Sequence, residues 1–441
     1  MHLIGLQFGP GLLSTPLGPQ HRKQRKMLNP AFSIAHMRDL LPVFYQVAHK
    51  LESSIARKVQ DGPQEIDMLG WMGRTAIELI GQSGLGVSFD PLEDEETTHP
   101  FIKVVKEVNL TAARLAFETS YILPYVVNIG TPSLRRLVSR LIPNKNFQFL
   151  RGRTDDLWRI SMGIFEEKKR ALVMGDEALK QRVGCGKDVL SILMRENMKA
   201  TDEERLDEME LLGQSFDYGR DGYDIGGHHR SIPSLLATHT EVQSKLREEL
   251  IQAFQNGDIA YDELVSLPYL DAICRETLRL YAPVTKLDRV AKHDTVLPLS
   301  MPVVGRDGSL ITEVVVPKNT TIAASVLNAN RNPEVWGKDA HEWKPERWLE
   351  PLPSTVMDAN VPGVYSHLMT FNGGQRSCIG FKFSQLEMKV VLARLVLRFE
   401  FLPSGKDIEW ENAGVTSPLV EDHVNGSSKP AMPLVVGLIK D

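Results

Sequence analysis

Phe371-Asn372-Gly373-Gly374-Gln375-Arg376-Ser377-Cys378-Ile379-Gly380 delivers one cysteine in a glycine-rich loop, immediately ahead of a segment in which Phe383, Leu386, Val390, Ala393 and Leu397 recur three and four residues apart. That spacing predicts an amphipathic helix beginning after Gly380, with one face on a core. Glycines let the backbone turn tightly and bring N–H groups close to the sulfur. The N-terminus of the following helix and the Arg376 cation both favour a negative charge there, so the local chemistry is that of a thiolate. The plainer alternative is a buried structural cysteine in a tight turn.

Composition sets the bounds around this loop. The chain has 441 residues, 42% of them hydrophobic, enough for a large core. With 51 Lys+Arg against 56 Asp+Glu the net charge is -5, which argues against nucleic acid as a partner. Cys185, Cys274 and Cys378 are too few and too scattered for a disulfide framework or a paired-cysteine zinc site, and they point to a reducing compartment. No apolar run reaches transmembrane length, and Met1 to Leu13 is too short and too rich in Gly and Pro for an anchor or signal peptide.

Residues 21 to about 285 read mainly as helices, and 286 to 330 switch to strand-like alternation with Pro/Gly turns, so the fold class is α+β and mainly helical. Thr240 to Phe254 is read as a helix opened by a Thr240/Gln243 capping box, with Val242, Leu246, Leu250 and Phe254 on one face. A second helix is expected from Pro268 to Tyr281, stopped by Pro283. Thr312 to Val316 and Thr321 to Val326 are expected to pair across Pro317-Lys318-Asn319, with Asn319 in left-handed backbone. Glu93 to Glu96 reads as an exposed loop, and the apolar residues between Phe101 and Leu141 read by default as core.

The cysteine loop matches F-x-x-G-x-R-x-C-x-G through Phe371, Gly374, Arg376, Cys378 and Gly380, and by this the chain resembles the cytochrome P-450 superfamily of heme-thiolate monooxygenases. The resemblance covers essentially the whole chain as one domain, 1–441, with a helical body and a small flanking sheet. It implies Cys378 as the ligand of heme iron, in heme b, where a thiolate pushes electron density that favours O–O cleavage. Glu276-Thr-Leu-Arg279 recurs by chance as a pattern at Glu167 to Arg170, but the first copy precedes Pro345-Glu346-Arg347-Trp348 in the family's order. The resemblance therefore implies a buried ionic network of Glu276, Arg279 and Arg347. At i and i+3 the first two share a helix face, and a guanidinium can meet a carboxylate bidentately. Cys274, on the same helix, reads as a small buried hydrophobe.

His21-Arg22-Lys23-Gln24-Arg25-Lys26 could be a localisation signal, but it opens a helix, and the family's W/H-x-x-x-R pattern falls on His21 and Arg25. The resemblance makes these two, with Arg289 and Arg376, the partners of the heme carboxylates, which need cations when buried. It implies electrons from NADPH through a reductase, an apolar small-molecule substrate and dioxygen, in secondary metabolism or xenobiotic oxidation. Gly11-Leu-Leu-Ser14, Ala329-Asn330-Arg331-Asn332-Pro333 and Trp336-Gly337 resemble fungal microsomal members, which sit on the cytosolic face of the endoplasmic reticulum membrane. Relative to them an anchor, the first helices and the early strands are expected to be missing.

One family feature is absent from the sequence. The long central helix should carry A/G-G-x-D/E-T-T, whose acid and alcohol relay protons to dioxygen. In its place stands Phe216-Asp-Tyr-Gly-Arg-Asp-Gly-Tyr-Asp-Ile-Gly-Gly-His-His-Arg-Ser-Ile-Pro233, within the aberrant stretch 216–234. His228 and His229 as metal ligands, or the glycines as a phosphate loop, lack partners at useful spacing. Tyr218 to Gly227 can be encoded TAT GGC CGG GAT GGA TAC GAC ATC GGC GGC, and reading one nucleotide later gives M-A-G-M-D-T-T-S-A. A local frame shift is the expected cause. The competing expectation is a heme-binding remnant with impaired turnover.

Overall fold

The computed structural model describes residues 9–93, 99–115, 117–127, 129–174, 186–214, 231–359, 361–365, 367–412, 416–422 and 427–439. Its larger core gathers the buried faces of helices Ile34–Lys58, Met68–Ile80, Thr240–Ala253, Pro268–Leu280 and Phe381–Arg398. Helix Phe381–Arg398 runs through the middle of this core, with Phe383, Leu386, Val390 and Ala393 buried as the periodicity predicts. A second core joins Pro100–Arg114, Lys145–Met174 and Val189–Lys199 to the helical run 208–214.

An antiparallel sheet in the order Gln64–Asp67, Pro433–Leu438, Phe399–Pro403 closes the larger core, continuing directly from the end of helix Phe381–Arg398. The expected pairing of 312–316 with 321–326 is not formed. Strand Leu310–Val316 pairs with Thr295–Val304, and Thr321–Ser325 pairs with Lys286–Val290. Asn319 does take left-handed backbone, at φ 69°. It serves a link between two sheets, because Asn319 N donates to Ala291 O and Lys318 N to Asp294 Oδ1. Val326 opens the short helix Val326–Asn330 instead of ending a strand.

The capping box at Thr240 is also overturned. Helix Thr240–Ala253 follows His239 without a side-chain cap, and Gln243 is buried. Its amide donates to Leu236 O and Phe401 O and accepts from Phe401 N, tying the helix to the sheet. A buried amide satisfied three times by main chain outcompetes an exposed cap. The default core reading holds only in part: Phe101, Ile102, Val104, Val105, Val108, Leu115 and Val127 are buried, whereas Phe117, Tyr121, Tyr125, Leu137 and Leu141 are exposed. Glu93 is exposed as expected, and 94–98 lie outside the described residues.

Helices 208–214 and 231–238 flank the stretch whose sequence departs from the family, of which 216–230 lie outside the described residues. Pro233 is accommodated inside 231–238, where Ile232, Leu235, Leu236 and Ala237 are buried. Pro233 is the third residue of the described run, in the first turn, where a backbone N–H has no acceptor inside the run. No helix among the described residues is long and apolar enough to cross a membrane.

Candidate active site

Two left-handed residues shape the cysteine loop, Asn372 at φ 57° and Gly374 at φ 66°. Between them Gly373 lies so close to the Pro362 carbonyl that any Cβ would overlap it. Cys378 N donates to Phe371 O at 2.8 Å, Ser377 N to Gly374 O, and Asn372 Nδ2 to Arg376 O at 3.2 Å. Phe371 is 3% exposed and anchors the loop between the rings of Tyr365 and Phe381, 5.7 and 6.2 Å away. Cys378 itself is exposed, and helix Phe381–Arg398 begins just after it with Gly380 as N-cap and no side-chain cap. The uncapped end leaves its positive dipole available to an anionic sulfur. Cys274 is the opposite case, fully buried, its thiol pushed up to about 12 by desolvation. Cys185 lies outside the described residues.

Basic groups crowd the same loop. Arg25, on helix Pro19–Leu28, donates to Ser377 O at 2.8 Å and Ser377 Oγ at 3.0 Å. Arg376 donates to Leu12 O at 3.0 Å and to Thr15 O. Burial, then the Arg289 charge, lower the pKa of Arg376; burial, then Arg376 and Arg25, lower that of His21. His21 is buried, Arg25 and Arg376 are half-buried, and Arg289 is exposed on strand Lys286–Val290. Among the described residues no carboxylate pairs with any of the four. Cations that repel one another beside an exposed thiol suit a metal-bearing macrocycle with carboxylate arms.

Glu276 and Arg279 lie on helix Pro268–Leu280, both 0% exposed, joined bidentately at 2.8 and 2.9 Å. Arg347 reaches Glu276 at 3.5 Å and Asp339 at 3.0 Å. Trp348 Nε1 and Lys344 N complete the donors to the Glu276 carboxylate. The remaining Arg279 donors go to the carbonyls of Asn330, Ala340 and Glu342, and its guanidinium lies 5.1 Å from the Trp336 ring centre. We expect Glu276→Ala to destabilise the fold by about 3 to 5 kcal/mol by stranding this buried cation, a large part of a typical total of about 5 to 15 kcal/mol. A urea melt of parent and variant measures it; a loss under about 1 kcal/mol would make the network no better than a surface pair.

The cytochrome P-450 family model matches residues 5–420. The chain belongs to the cytochrome P-450 family. It is 52% identical to cytochrome P-450 monooxygenase 91 of Postia placenta over 99% of this chain and 80% of that protein. It is 45% identical to the ganoderic acid synthetase CYP5150L8 of Ganoderma lucidum over 98% and 79%. A crystal structure of a cytochrome P-450, CYP102L1, superposes with a TM-score of 0.73 at 21% identity, covering 99% of this chain and 83% of that one. Similarity of this extent makes the chain a cytochrome P-450 monooxygenase, an oxidoreductase of a family that holds heme iron through a cysteine thiolate.

Two parts of this P-450 site are not apparent in the sequence. Asn330, 1% exposed, accepts from Met369 N and donates to Thr370 Oγ1, and its carbonyl accepts from Arg279, so one residue couples the ionic network to the cysteine loop. Its one signal is the A-N-R-N-P stretch, which by itself marks only a likeness. Asp271 is the other, gathering Lys389 at 2.7 Å, Arg275 and Tyr365 behind the ring that packs on Phe371.

Proposed function

We propose that the chain works as one heme-thiolate domain, in which Cys378 ligates the iron of heme b and His21, Arg25, Arg289 and Arg376 face its carboxylates. The exposed thiol beside cations that pair with no carboxylate among the described residues carries this reading. When bound, the heme supplies dioxygen activation, with the thiolate favouring O–O cleavage. The protein residues shape the loop that would hold that group: Arg25 braces Ser377, Asn372 braces the Arg376 carbonyl, and Gly373 lets the loop lie against Pro362.

The reaction inserts one dioxygen atom into an apolar organic substrate and reduces the other to water, taking two electrons from NADPH through a reductase at the cytosolic face of the endoplasmic reticulum. The ganoderic acid synthetase among its relatives supports secondary metabolism as the setting. A second reading, a heme-binding remnant with poor turnover, is favoured by the missing A/G-G-x-D/E-T-T sequence. Reduced, carbon-monoxide-bound protein should show the far red-shifted Soret band of thiolate ligation; a band at the position of histidine-ligated heme would reject both readings of Cys378.

The cation assignments have their own measurement. Hydrogen bonds to charged groups contribute about 1.5 to 3 kcal/mol, so Arg25→Leu and Arg376→Leu should each weaken heme binding about tenfold to hundredfold. Arg289→Leu, at an exposed position, should cost under about 1 kcal/mol. Transfer of heme to an apoprotein acceptor reads these directly, and equal heme retention in all three would remove the cluster from the site.

A further inference from the structure

Residues 9–15 stand between the cysteine loop and the helical run 208–214. On one side, Leu12 O and Thr15 O take the two terminal nitrogens of Arg376. On the other, Leu12 N donates to Gln214 Oε1 at 3.3 Å, and Gln214 is 1% exposed. The backbones meet closely here: a Cβ added to Gly213 would stand 2.7 Å from Gly11 N and 3.0 Å from Pro10 C. Gln24 completes the seat, its Nε2 donating to Pro10 O at 2.9 Å and Glu210 Oε1 at 2.8 Å. Residues 9–15 are also bonded to themselves, Ser14 Oγ to Gly9 O and Thr15 Oγ1 to Gly11 O, so a push on Gly11 or Leu12 carries to Thr15.

We infer that Gly213 and Gln214 are positioning residues for Arg376: helix 208–214 seats segment 9–15, whose Leu12 and Thr15 carbonyls aim the guanidinium on the cysteine loop. The inference rests on the reading that Cys378 holds heme iron. Two carbonyls that fix a planar fork hold its charge in one place, and a fixed cation near a metal centre favours the reduced state. Loosening the seat lets the cation drift into water and lowers the midpoint potential. The coupling is indirect, so it vanishes once Arg376 is gone.

The test is a spectroelectrochemical titration of the heme-loaded parent, Gln214→Leu, Gly213→Ala, Arg376→Leu and the Gln214→Leu/Arg376→Leu double variant, with amide exchange of segments 9–15 and 371–380. Gln214→Leu and Gly213→Ala should both lower the potential in the direction of Arg376→Leu, the double variant should show no further shift, and exchange in 9–15 should rise about tenfold. An added Cβ at Gly213 meets the Gly11 backbone, so a merely structural Gly213 predicts a weaker fold in Gly213→Ala with the potential unchanged. Unchanged potentials in both single variants, or additive shifts in the double, overturn the inference. If the parent lacks thiolate-type absorption, the Cys378 reading fails separately, and exchange in 371–380 then decides: faster in Gln214→Leu supports the seat, unchanged removes it. If Gln214→Leu does not fold, Gly213→Ala with Arg376→Leu gives the same comparison.

Discussion

Cys378→Ala should abolish the far red-shifted Soret band of the reduced, carbon-monoxide-bound protein and reduce turnover to background, while Cys274→Ala leaves both in place. The two thiols occupy opposite environments. Cys378 is exposed beside an uncapped helix end, on a loop braced by Arg25 through Ser377. Each of these features favours a sulfur anion, the form that binds metal. Cys274 is fully buried, and desolvation pushes its thiol up to about 12, so it stays protonated at neutral pH and packs as a small hydrophobe. The loop geometry does not depend on the Cys378 side chain, because its frame is backbone: Cys378 N to Phe371 O, Ser377 N to Gly374 O. The variant should therefore fold with its helix content unchanged. A surviving band in Cys378→Ala, or its loss in well-folded Cys274→Ala, would overturn the assignment.

How legible each feature is in the sequence depends on how local its physics is. The cysteine loop is legible because its requirements are local: φ above zero at Gly374, a carbonyl against Gly373, a cation two residues ahead of the sulfur. Glu276 and Arg279 are legible because a helix brings i and i+3 together. Arg347 is placed only by likeness, since it reaches Glu276 from 71 residues further along. Side-chain amides are illegible. Gln243 resembles a capping partner of Thr240, yet it serves Phe401, 158 residues away. The Asn330 amide shows the same versatility, donating to Thr370 Oγ1 and accepting from Met369 N, while its main-chain carbonyl takes the bond from Arg279.

Strand partners elude the sequence for a related reason. Alternation in 312–316 and 321–325 shows that each is extended, but it carries no register toward a partner. The left-handed Asn319 satisfies the local demand of a hairpin and of a link between sheets equally well. The exposed side chains of Phe117, Tyr121, Tyr125, Leu137 and Leu141 show the same limit for helices, since periodicity identifies an apolar face without saying what lies against it. In helix Pro132–Leu141, Arg135, Arg136 and Arg140 take the side opposite Leu134, Leu137 and Leu141, an amphipathic pattern that a helix on the surface shares with one on a core.

Replacing residues 218 to 228 with M-A-G-M-D-T-T-S-A-A-I should raise turnover by about 10²- to 10⁴-fold, the range that a positioned acid or base contributes to proton transfer. The chain as written has no acid followed by paired alcohols in this stretch, and Gly219, Gly222, Gly226 and Gly227 each lower helix propensity by about 1 kcal/mol relative to alanine. Asp221 and Asp224 are the acids at hand by sequence, and Ser231 is the nearest alcohol after them. Ser231 is 1% exposed at the start of the helical run 231–238, with no hydrogen-bond partner for its Oγ among the described residues. A donor that must move protons needs an acceptor within reach, and a displacement of about 1 Å can cost 10²-fold. The helices at 208–214 and 231–238 already flank the stretch, so the replacement restores helix-forming residues between two existing ends. Parent and variant should bind heme equally, since Cys378 and the cations lie elsewhere in the sequence. The measurement is NADPH-dependent product formation with a reductase, alongside hydrogen peroxide release. The parent should divert its electrons to peroxide and the variant to product. Equal and substantial product from both would show that the missing acid and alcohol do not limit this enzyme, and the frame-shift account of the segment would lose its functional support.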